Sequence, residues 1–289
     1  MSPERAEPGA TRDHWPANAR SWSNLGPPLR PSPDDTRTAE AAIQQWQQRN
    51  ATTPPRALLL GVTPELAGCG WPAGTRLVAI DRNPAVIGML WPAPGMPAAA
   101  GAICADWRAM PLAAAAVDIV VGDGCHVCAR FPDQAQAINR EIDRVLRPGG
   151  IFVIRVFLRP DAHETIDDIR RDLEGGAIGN VHALKWRIAA AIHGSTAEGV
   201  RLADVWEVWQ RLRPLAERHA ERVGWRLGWR PGELATLDIH RGVETRFYMP
   251  TLADFRATIG GMFVERSSAT GRYELADRCR TFVLGTRTG

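Results

Sequence analysis

The chain has 289 residues, of which 45% are hydrophobic and 23% charged, a composition that excludes disordered, collagen-like and disulfide-scaffold proteins. Its formal net charge is only +3 and it contains no run of five or six like charges, so no nucleic-acid partner is expected. The longest apolar stretch, Leu112 to Gly122, is interrupted by Asp118 and is much shorter than the ~20 residues of a membrane-spanning helix. No membrane association is therefore expected. The five irregularly spaced cysteines indicate a reducing, cytoplasmic environment.

The first ~33 residues are rich in Pro, Asn, Ser and Arg and predict an N-terminal arm. The segment Gly26 to Pro31 contains three prolines and excludes a helix or a central strand. We expect Trp15 and Trp22 to attach the arm to the body of the protein, because tryptophan rarely stays in solvent. Ser32 then caps a predicted helix that runs to about Arg49.

From Arg56 onward, short apolar runs alternate with helix-like stretches, which is typical of βα units with parallel strands. The predicted strands are Ala57 to Val62, Arg76 to Asp81, Gly101 to Ala105, Val117 to Gly122 and Gly150 to Phe157. Thr63-Pro64 and Asn83-Pro84 each place a capping residue before a proline and predict helix starts. A further helix is predicted from Pro132 to Leu146.

After the fifth strand, the apolar spacing predicts helices from about Asp161 to Arg230, and then a hairpin from Leu237 to Met249 that turns at Arg241-Gly242. Thr251 caps a short helix, and Met262 to Arg266 and Thr281 to Gly285 are the last two predicted strands. The predicted fold class is α/β, a doubly wound, mostly parallel, Rossmann-like sheet with an antiparallel last strand. The predicted domains are an arm and helix (1–55), a core (56–159 and 250–289) and a helical insertion (160–249) that covers the active site.

Polar residues follow four of the predicted strands, at the edge of the sheet where ligands bind in open α/β folds. Gly61 ends the first strand and lets the backbone approach a ligand closely. Asp81 follows twenty residues later, the spacing at which an acidic side chain meets the hydroxyls of a ribose. Asp106-Trp107 suits the amino group and ring of a purine, and Asp123 ends the fourth strand in a flexible turn.

The chain resembles the class I S-adenosylmethionine-dependent methyltransferases over about Ala57 to Phe157 and the last two strands. The motifs that carry the resemblance are Leu59-Leu60-Gly61-Val62-Thr63-Pro64-Glu65, Ala79-Ile80-Asp81, Ala105-Asp106-Trp107, Val117-Asp118-Ile119-Val120 and Arg144-Val145-Leu146-Arg147-Pro148-Gly149-Gly150. The resemblance implies S-adenosylmethionine as the cofactor, with its ribose on Asp81 and its adenine at Asp106 and Trp107. The full set of cofactor-binding residues that it implies is Gly61, Val62, Thr63, Asp81, Arg82, Asp106, Trp107, Asp123 and Gly124.

The first loop departs from the family pattern. Leu59 stands where the family usually has an acidic residue, and Thr63 replaces the second glycine. Glu65 and Asp123 are the carboxylates that could hold the amino group of the cofactor instead. A nicotinamide enzyme could also use Gly61 and Asp81, but the G-x-G-x-x-G spacing is absent.

Asp123 and His126, just after the fourth strand, are the candidate catalytic residues that would orient the acceptor or accept its proton. Cys125-His126-Val127-Cys128 has metal-ligand residue types but no second half at zinc-site spacing, so no metal is expected. Four residues are candidates for substrate contact. They are Arg155, within the fifth strand, and His240, Arg246 and Tyr248, on the predicted hairpin. Arg155 is expected either in a structural ion pair or as an anion anchor.

The predicted function is methyl transfer from S-adenosylmethionine to a small-molecule substrate. Two alternatives remain open. The protein could cyclise the aminobutyrate chain of S-adenosylmethionine and release methylthioadenosine, or it could be a non-catalytic module that only binds the cofactor. The sequence contains no motif that specifies the acceptor, and the oligomeric state stays unknown at this stage. A closed pocket is expected, covered by the arm and the helical insertion.

Overall fold

The computed structural model describes residues 13–50 and 53–287, so the first twelve residues of the predicted arm and residues 51–52 lie outside the described residues. The strands of the described chain are β1 (Arg56–Leu60), β2 (Arg76–Asp81), β3 (Ala99–Cys104), β4 (Val117–Asp123), β5 (Leu146–Phe157), β6 (Val200–Arg201), β7 (Arg246–Phe247), β8 (Phe263–Ala269) and β9 (Cys279–Thr286). Its α-helices are α1 (Trp15–Arg20), α2 (Pro33–Arg49), α3 (Pro64–Ala67), α4 (Pro84–Leu90), α5 (Asp133–Val145), α6 (Ile166–Gly175), α7 (Val181–Ala191), α8 (Leu202–Arg222), α9 (Pro231–Leu234) and α10 (Leu252–Ile259).

Seven strands form one sheet in the order β3-β2-β1-β4-β5-β9-β8. The pairs from β3 to β5 are parallel, and β9 runs antiparallel to both of its neighbours. The predicted doubly wound, mostly parallel sheet with an antiparallel last strand is therefore confirmed. The strand order reverses between β1 and β4, and this switch point is where open α/β sheets bind ligands.

Helices cover both faces of the sheet, which explains the continuous apolar strands. One face packs α2, α3 and α4 through residues such as Ile43, Leu66 and Val86. The other face packs α5 and α10 through residues such as Ile142 and Phe255. Burial of both faces removes the polar alternation that a half-exposed strand would show.

Local capping explains most helix starts. The side chain of Ser32 accepts a hydrogen bond from the backbone of Asp35 in a capping box, and the side chain of Thr251 does the same for α10. The Asn83 side chain accepts hydrogen bonds from the first backbone N–H groups of α4. Thr63 precedes α3 but makes no side-chain cap. The prolines that follow Ser32, Thr63 and Asn83 all occupy the first helical turn, as predicted.

The insertion between β5 and α10 contains α6 to α9 and has its own core, which includes Trp186, Trp209 and Trp229. The predicted hairpin from Leu237 to Met249 is wrong. Its first part is a 3₁₀ helix, residues 235–240, and β7 pairs antiparallel with β6, more than forty residues earlier in the chain. The turn signal at Arg241-Gly242 is real, with Gly242 at φ +67°, but it joins a helix to a strand.

None of the helices in the two described ranges is both long enough and apolar enough to cross a membrane.

Candidate functional site

A cavity of about 190 Å³ lies at the carboxyl ends of β1, β2 and β4, beside the switch point of the sheet. This volume is many times the space that one water needs. Every residue that the sequence predicts for the cofactor lines it: Gly61, Val62, Thr63, Asp81, Arg82, Asp106, Trp107, Asp123 and Gly124. Topology explains the convergence, because parallel strands bring their carboxyl ends to one edge.

Gly61, Asp81 and Trp107 lie together in this cavity. Gly61 has φ +85°, and a β-carbon at that position would lie 3.8 Å from both Asp81 Oδ2 and the ring of Trp107. Asp81 Oδ1 accepts a hydrogen bond from the Asn83 backbone at 2.8 Å, which fixes the orientation of the carboxylate. The Trp107 indole donates to the carbonyl of Ile80 at 2.6 Å. These features suit a nucleoside: the backbone can approach the ligand closely, and the carboxylate and the aromatic plane are both held in place.

Asp81 and Asp106 differ in their electrostatics. Burial raises the pKa of Asp81, although the Asn83 N–H partly offsets this effect. Asp106 is more exposed, and hydrogen bonds from the Arg108 side chain lower the pKa of its carboxyl. Both carboxylates can accept hydrogen bonds, Asp81 from hydroxyl groups and Asp106 from an amino group that competes with Arg108.

The Asp123-Gly124 turn is held from behind by Arg155. Arg155 Nε donates to Asp123 Oδ1 at 2.6 Å and Nη2 donates to Oδ2 at 3.1 Å, and the arginine is 3% exposed. Burial alone would lower the pKa of Arg155, but the Asp123 carboxylate outweighs it and the net shift is upward. Gly124 has φ +62°, and a β-carbon there would lie 2.3 Å from the ring of Phe157. The turn therefore requires glycine and keeps both Asp123 oxygens engaged.

The guanidinium of Arg155 also reaches the arm. Its Nη1 donates to the carbonyl of Pro28 at 2.8 Å and to the hydroxyl of Tyr273 at 3.2 Å, and it lies 3.8 Å from Asp35. Arg155 is not among the residues that line the cavity. Its contacts are those of a structural ion pair, one of the two roles that the sequence allows.

His126 lies behind the cavity wall and does not line it. Its Nε2 is 2.8 Å from Asn139 Oδ1, and its ring packs edge-on against Phe255. Burial lowers the pKa of His126. The structure thus brings Asp123 to the cavity but places His126 in the core between the sheet and α5.

The three other predicted substrate residues surround the cavity without lining it. Arg246 is exposed and donates to the carbonyl of Glu198 at 3.0 Å, whereas the side chain of Tyr248 packs against the core of the sheet. His240 is 1% exposed and faces Lys185. The residue that does line the cavity from this segment is Phe247.

Lys185 is a cavity residue that sequence reasoning missed. It is the single lysine in a chain of 34 arginines, and it lies in α7, where ten of eleven residues are buried. Its side chain is 5% exposed, and Nζ lies 3.3 Å from His240 Nε2. The apolar run around Lys185 was the available signal, because a helix that is largely apolar on every face buries even its charged residues, here Lys185 and Arg187.

The arm lies across the mouth of the cavity. Trp15, Asn18, Trp22, Leu25 and Leu29 all line the cavity. The carboxylate of Glu65 on α3, one of the two proposed replacements for the missing acid, accepts hydrogen bonds from the side chains of Arg30 and Trp22 and does not line the cavity. The arm therefore occupies Glu65 and forms part of the cavity wall, where its residues His14 and Trp15 pack against Phe247 of the insertion.

No group of three or more potential metal ligands occurs in the part of the chain that the structure describes. Cys125 and Cys128 line the cavity, but His126 between them points into the core. Burial raises the pKa of the Cys128 thiol to about 12 and that of Cys125 well above its usual value. Both thiols are thus held in the protonated form, which binds metal poorly.

Comparisons with known proteins give a family for the core. Residues 61–154 match the family model described as a methyltransferase domain. No curated protein matches the sequence.

Among solved structures, a protein from Rhodobacter sphaeroides provisionally named a zinc-dependent alcohol dehydrogenase is 12% identical, with a TM-score of 0.51, over 94% of this chain and 98% of that one. The N-methyltransferase NodS from Bradyrhizobium japonicum, solved with S-adenosyl-L-homocysteine, is 11% identical, with a TM-score of 0.48, over 96% of this chain and 100% of that one. A S-adenosylmethionine-dependent methyltransferase from Methanosarcina mazei is 14% identical, with a TM-score of 0.43, over 82% of this chain and 94% of that one. At these identities the likeness concerns the fold.

The matched segment begins at Gly61 and ends at Ile154, so it contains the β1 loop, Asp81, Asp106-Trp107 and the Asp123-Gly124 turn. The cosubstrate of such a domain is S-adenosylmethionine. Residues 61–154 are therefore a methyltransferase domain, as the resemblance to the class I S-adenosylmethionine-dependent methyltransferases predicts.

Proposed function

We propose that the protein transfers the methyl group of S-adenosylmethionine to a small-molecule acceptor within the cavity at the switch point. The observation that carries this proposal is the convergence of all nine predicted cofactor residues on one cavity that the arm and the insertion cover. Bound S-adenosylmethionine supplies a sulfonium methyl group that is open to attack by a nucleophile.

The residues of the chain would bind and orient the two reactants. Asp81 would accept hydrogen bonds from the ribose hydroxyls, and the plane of Trp107 would contact the adenine. The strained turn at Gly124, backed by Phe157, would hold the methionine side of the cofactor against the acceptor space. Alignment of a nucleophile within ~3–3.5 Å of the methyl carbon is the main requirement of the reaction.

The enclosure of the cavity supports a small acceptor. Trp15 and Trp22 of the arm and Lys185 and Trp186 of α7 all line the cavity. A polymer would have to displace these segments, whereas a small molecule can lie within them. The insertion, residues 160–249, would accordingly act as the substrate cap. Exclusion of water from the closed cavity would protect the sulfonium and strengthen the electrostatic contacts inside.

Calorimetry with S-adenosylhomocysteine tests the cofactor site. Asp81→Ala should weaken binding by ~1.5–3 kcal/mol, the range for a hydrogen bond to a charged group. Asp133→Ala is the matched control, because it removes a carboxylate that is 71% exposed and does not line the cavity. Equal affinities for the wild type and Asp81→Ala would contradict the placement of the ribose.

Product analysis tests the reaction. The purified protein is incubated with S-adenosylmethionine, with and without a cell extract as the source of acceptors. S-Adenosylhomocysteine formed only with the extract supports methyl transfer to an acceptor. Methylthioadenosine formed without the extract would indicate cyclisation instead. Tight binding with no product under either condition would indicate a non-catalytic binding module.

A further inference from the structure

We propose that Lys185 is the catalytic base of this enzyme, and that the acceptor is an aromatic hydroxyl whose proton passes to the Lys185 amine as its oxygen is methylated. This inference rests on the proposed function, and it adds the proton acceptor and the chemical class of the substrate.

The geometry around Lys185 is that of a buried amine without a counter-ion. Its side chain reaches the cavity from α7 while only 5% of the residue is exposed. Across the described ranges, no carboxylate forms an ion pair with Lys185, whereas the buried Arg155 and Arg187 both pair with carboxylates. An unpaired ammonium would be costly in this position, so the neutral amine is favoured.

The groups that face Lys185 from the surrounding elements are histidines. His240 lies 3.3 Å away on the 3₁₀ segment, His14 of the arm stacks edge-on against His240 at 5.7 Å between ring centroids, and His182 lies one turn earlier on α7. Burial lowers the pKa of all three rings, to about 4 for His14 and about 3 for His182. Asp13 and Arg82 act on His14, whose pKa Asp13 raises and Arg82 lowers.

The three histidines carry no negative charge that would hold Lys185 protonated, and Asp13 acts on His14 and not on Lys185. Burial lowers the pKa of Lys185 to about 7. When His240 Nε2 accepts a hydrogen bond from Nζ–H, the lone pair of the neutral amine stays available to a molecule in the cavity. A base with a pKa close to the working pH combines a populated neutral form with a useful affinity for the proton.

The predicted catalytic residues are less suited to accept a proton. Both oxygens of Asp123 receive hydrogen bonds from Arg155. His126 does not line the cavity, and its Nε2 is engaged by Asn139. Cys128 lines the cavity, but burial raises the pKa of its thiol to about 12. Lys185 lines the cavity, forms no ion pair with any described residue and, unlike the always protonated Arg82 of the same cavity, can accept a proton.

The walls around Lys185 favour an aromatic acceptor. Trp15, Phe157, Trp186 and Phe247 all line the same cavity. The rings of Phe157 and Trp186 are 4.5 Å apart at their centroids, and those of Trp186 and Phe247 are 6.4 Å apart. Offset and edge-to-face packing against such rings favours a planar aromatic ligand. A phenolic hydroxyl becomes strongly acidic as its oxygen is methylated, so its proton can pass within that step to an amine with a near-neutral pKa.

The proposed step conserves atoms and charge. The hydroxyl proton moves to the Lys185 lone pair, and an oxygen lone pair forms the new C–O bond with the sulfonium methyl carbon. The C–S bond breaks, and its electron pair stays on sulfur in S-adenosylhomocysteine. The products are an aryl methyl ether, a neutral thioether and a Lys185 ammonium, which loses its proton to solvent after product release.

The uniqueness of Lys185 allows a direct titration. Lysine labelled with ¹³C at Cε gives a single side-chain resonance in this protein, and its shift against pH reports the pKa of Lys185. We expect a midpoint near pH 7. Arg211→Lys introduces a second lysine at an exposed position of α8, which serves as an internal reference with an ordinary pKa near ~10.4. Two resonances that titrate together at high pH would overturn the proposal.

The second measurement uses 4-nitrophenol, whose ionised form absorbs visible light. Binding to the wild-type protein at pH 7 should increase the phenolate absorbance, because the neutral fraction of Lys185 takes the proton. Lys185→Met should bind the probe in its neutral form. In the wild-type protein, bound probe should raise the ¹³C titration midpoint of Lys185 by at least one pH unit, which is a tenfold gain in proton affinity. Lys185→Met should melt at least as high as the wild type, since it removes a buried amine. Failure of the probe to bind, or the same phenolate absorbance in Lys185→Met, would overturn the proposal.

The outcomes separate this proposal from the proposed function. If the wild-type protein does not bind S-adenosylhomocysteine, the cofactor site is refuted, even when the pKa of Lys185 is low. Normal S-adenosylhomocysteine binding with an ordinary lysine pKa would refute only the role of Lys185.

Discussion

Replacement of Arg155 by methionine should destabilise the protein far more than loss of an exposed ion pair. Arg155 is 3% exposed and makes two hydrogen bonds to Asp123, one to Pro28 and one to Tyr273. Its removal leaves the Asp123 carboxylate buried without a counter-ion. Loss of one partner of a buried pair costs about 3–5 kcal/mol of unfolding free energy. For a chain of this size, that corresponds to a fall in melting temperature on the order of 10 °C.

The effect should depend on pH in a defined direction. Burial already raises the pKa of Asp123, and without Arg155 the folded-state pKa should rise further. A carboxyl whose pKa is higher in the folded state than in the unfolded state destabilises the protein at pH values above both pKa values. As the pH falls through the folded-state pKa, the carboxyl is protonated and this destabilisation disappears. The loss of unfolding free energy caused by Arg155→Met should therefore be smaller at pH 5 than at pH 7.5.

The assay is urea unfolding of each variant at both pH values. Arg108→Met is the matched control, because the side chains of Arg108 and Asp106 are 42% and 40% exposed and such a pair contributes about 0–1 kcal/mol. The double variant Arg155→Met, Asp123→Asn should recover part of the loss, since no buried charge is left unpaired. Equal effects of Arg155→Met and Arg108→Met would refute the reasoning.

Three further predictions concern the turn, the arm and the thiols. Gly124→Ala should lower the free energy of unfolding by at least 1 kcal/mol more than Gly149→Ala. Both glycines have positive φ, but only Gly124 faces a ring within contact distance. Equal losses for the two variants in thermal unfolding would contradict this. S-Adenosylhomocysteine should slow tryptic cleavage after Arg20 in the arm, and equal cleavage rates with and without it would show that the arm only packs. A chelator should leave the melting temperature unchanged, whereas stoichiometric zinc at Cys125 would disprove the protonated-thiol interpretation.

The sheet and its ligand edge could be predicted because their signals are local. Continuous apolar runs mark parallel strands, and the polar residue after each run marks the carboxyl edge. Gly61 and Asp81 meet because of strand order alone, which the alternation of strands and helices already implies. The predicted ends of strands differ from the structure by a few residues, as for β3, which begins at Ala99 instead of Gly101.

The insertion was harder to predict because its contacts are long-range. The pairing of Arg246–Phe247 with Val200–Arg201 leaves no local mark, so the turn at Gly242 suggested a hairpin that does not form. The burial of Lys185 also depends on packing between α7, the 3₁₀ segment and the arm. Residue spacing could not show that the His126 side chain points into the core. In this segment, a shift of one position along the chain decides whether a side chain points to the cavity or away from it.

The arm is attached at both ends of its described length. His14 is 1% exposed and packs against His240 and Phe247 of the insertion. Further along, the Pro28 carbonyl is bound inside the protein by Arg155 of the sheet. The arm thus joins the insertion to the sheet, and a movement of the arm that admits a ligand would break contacts with both. One short segment then couples ligand exchange to the integrity of the fold.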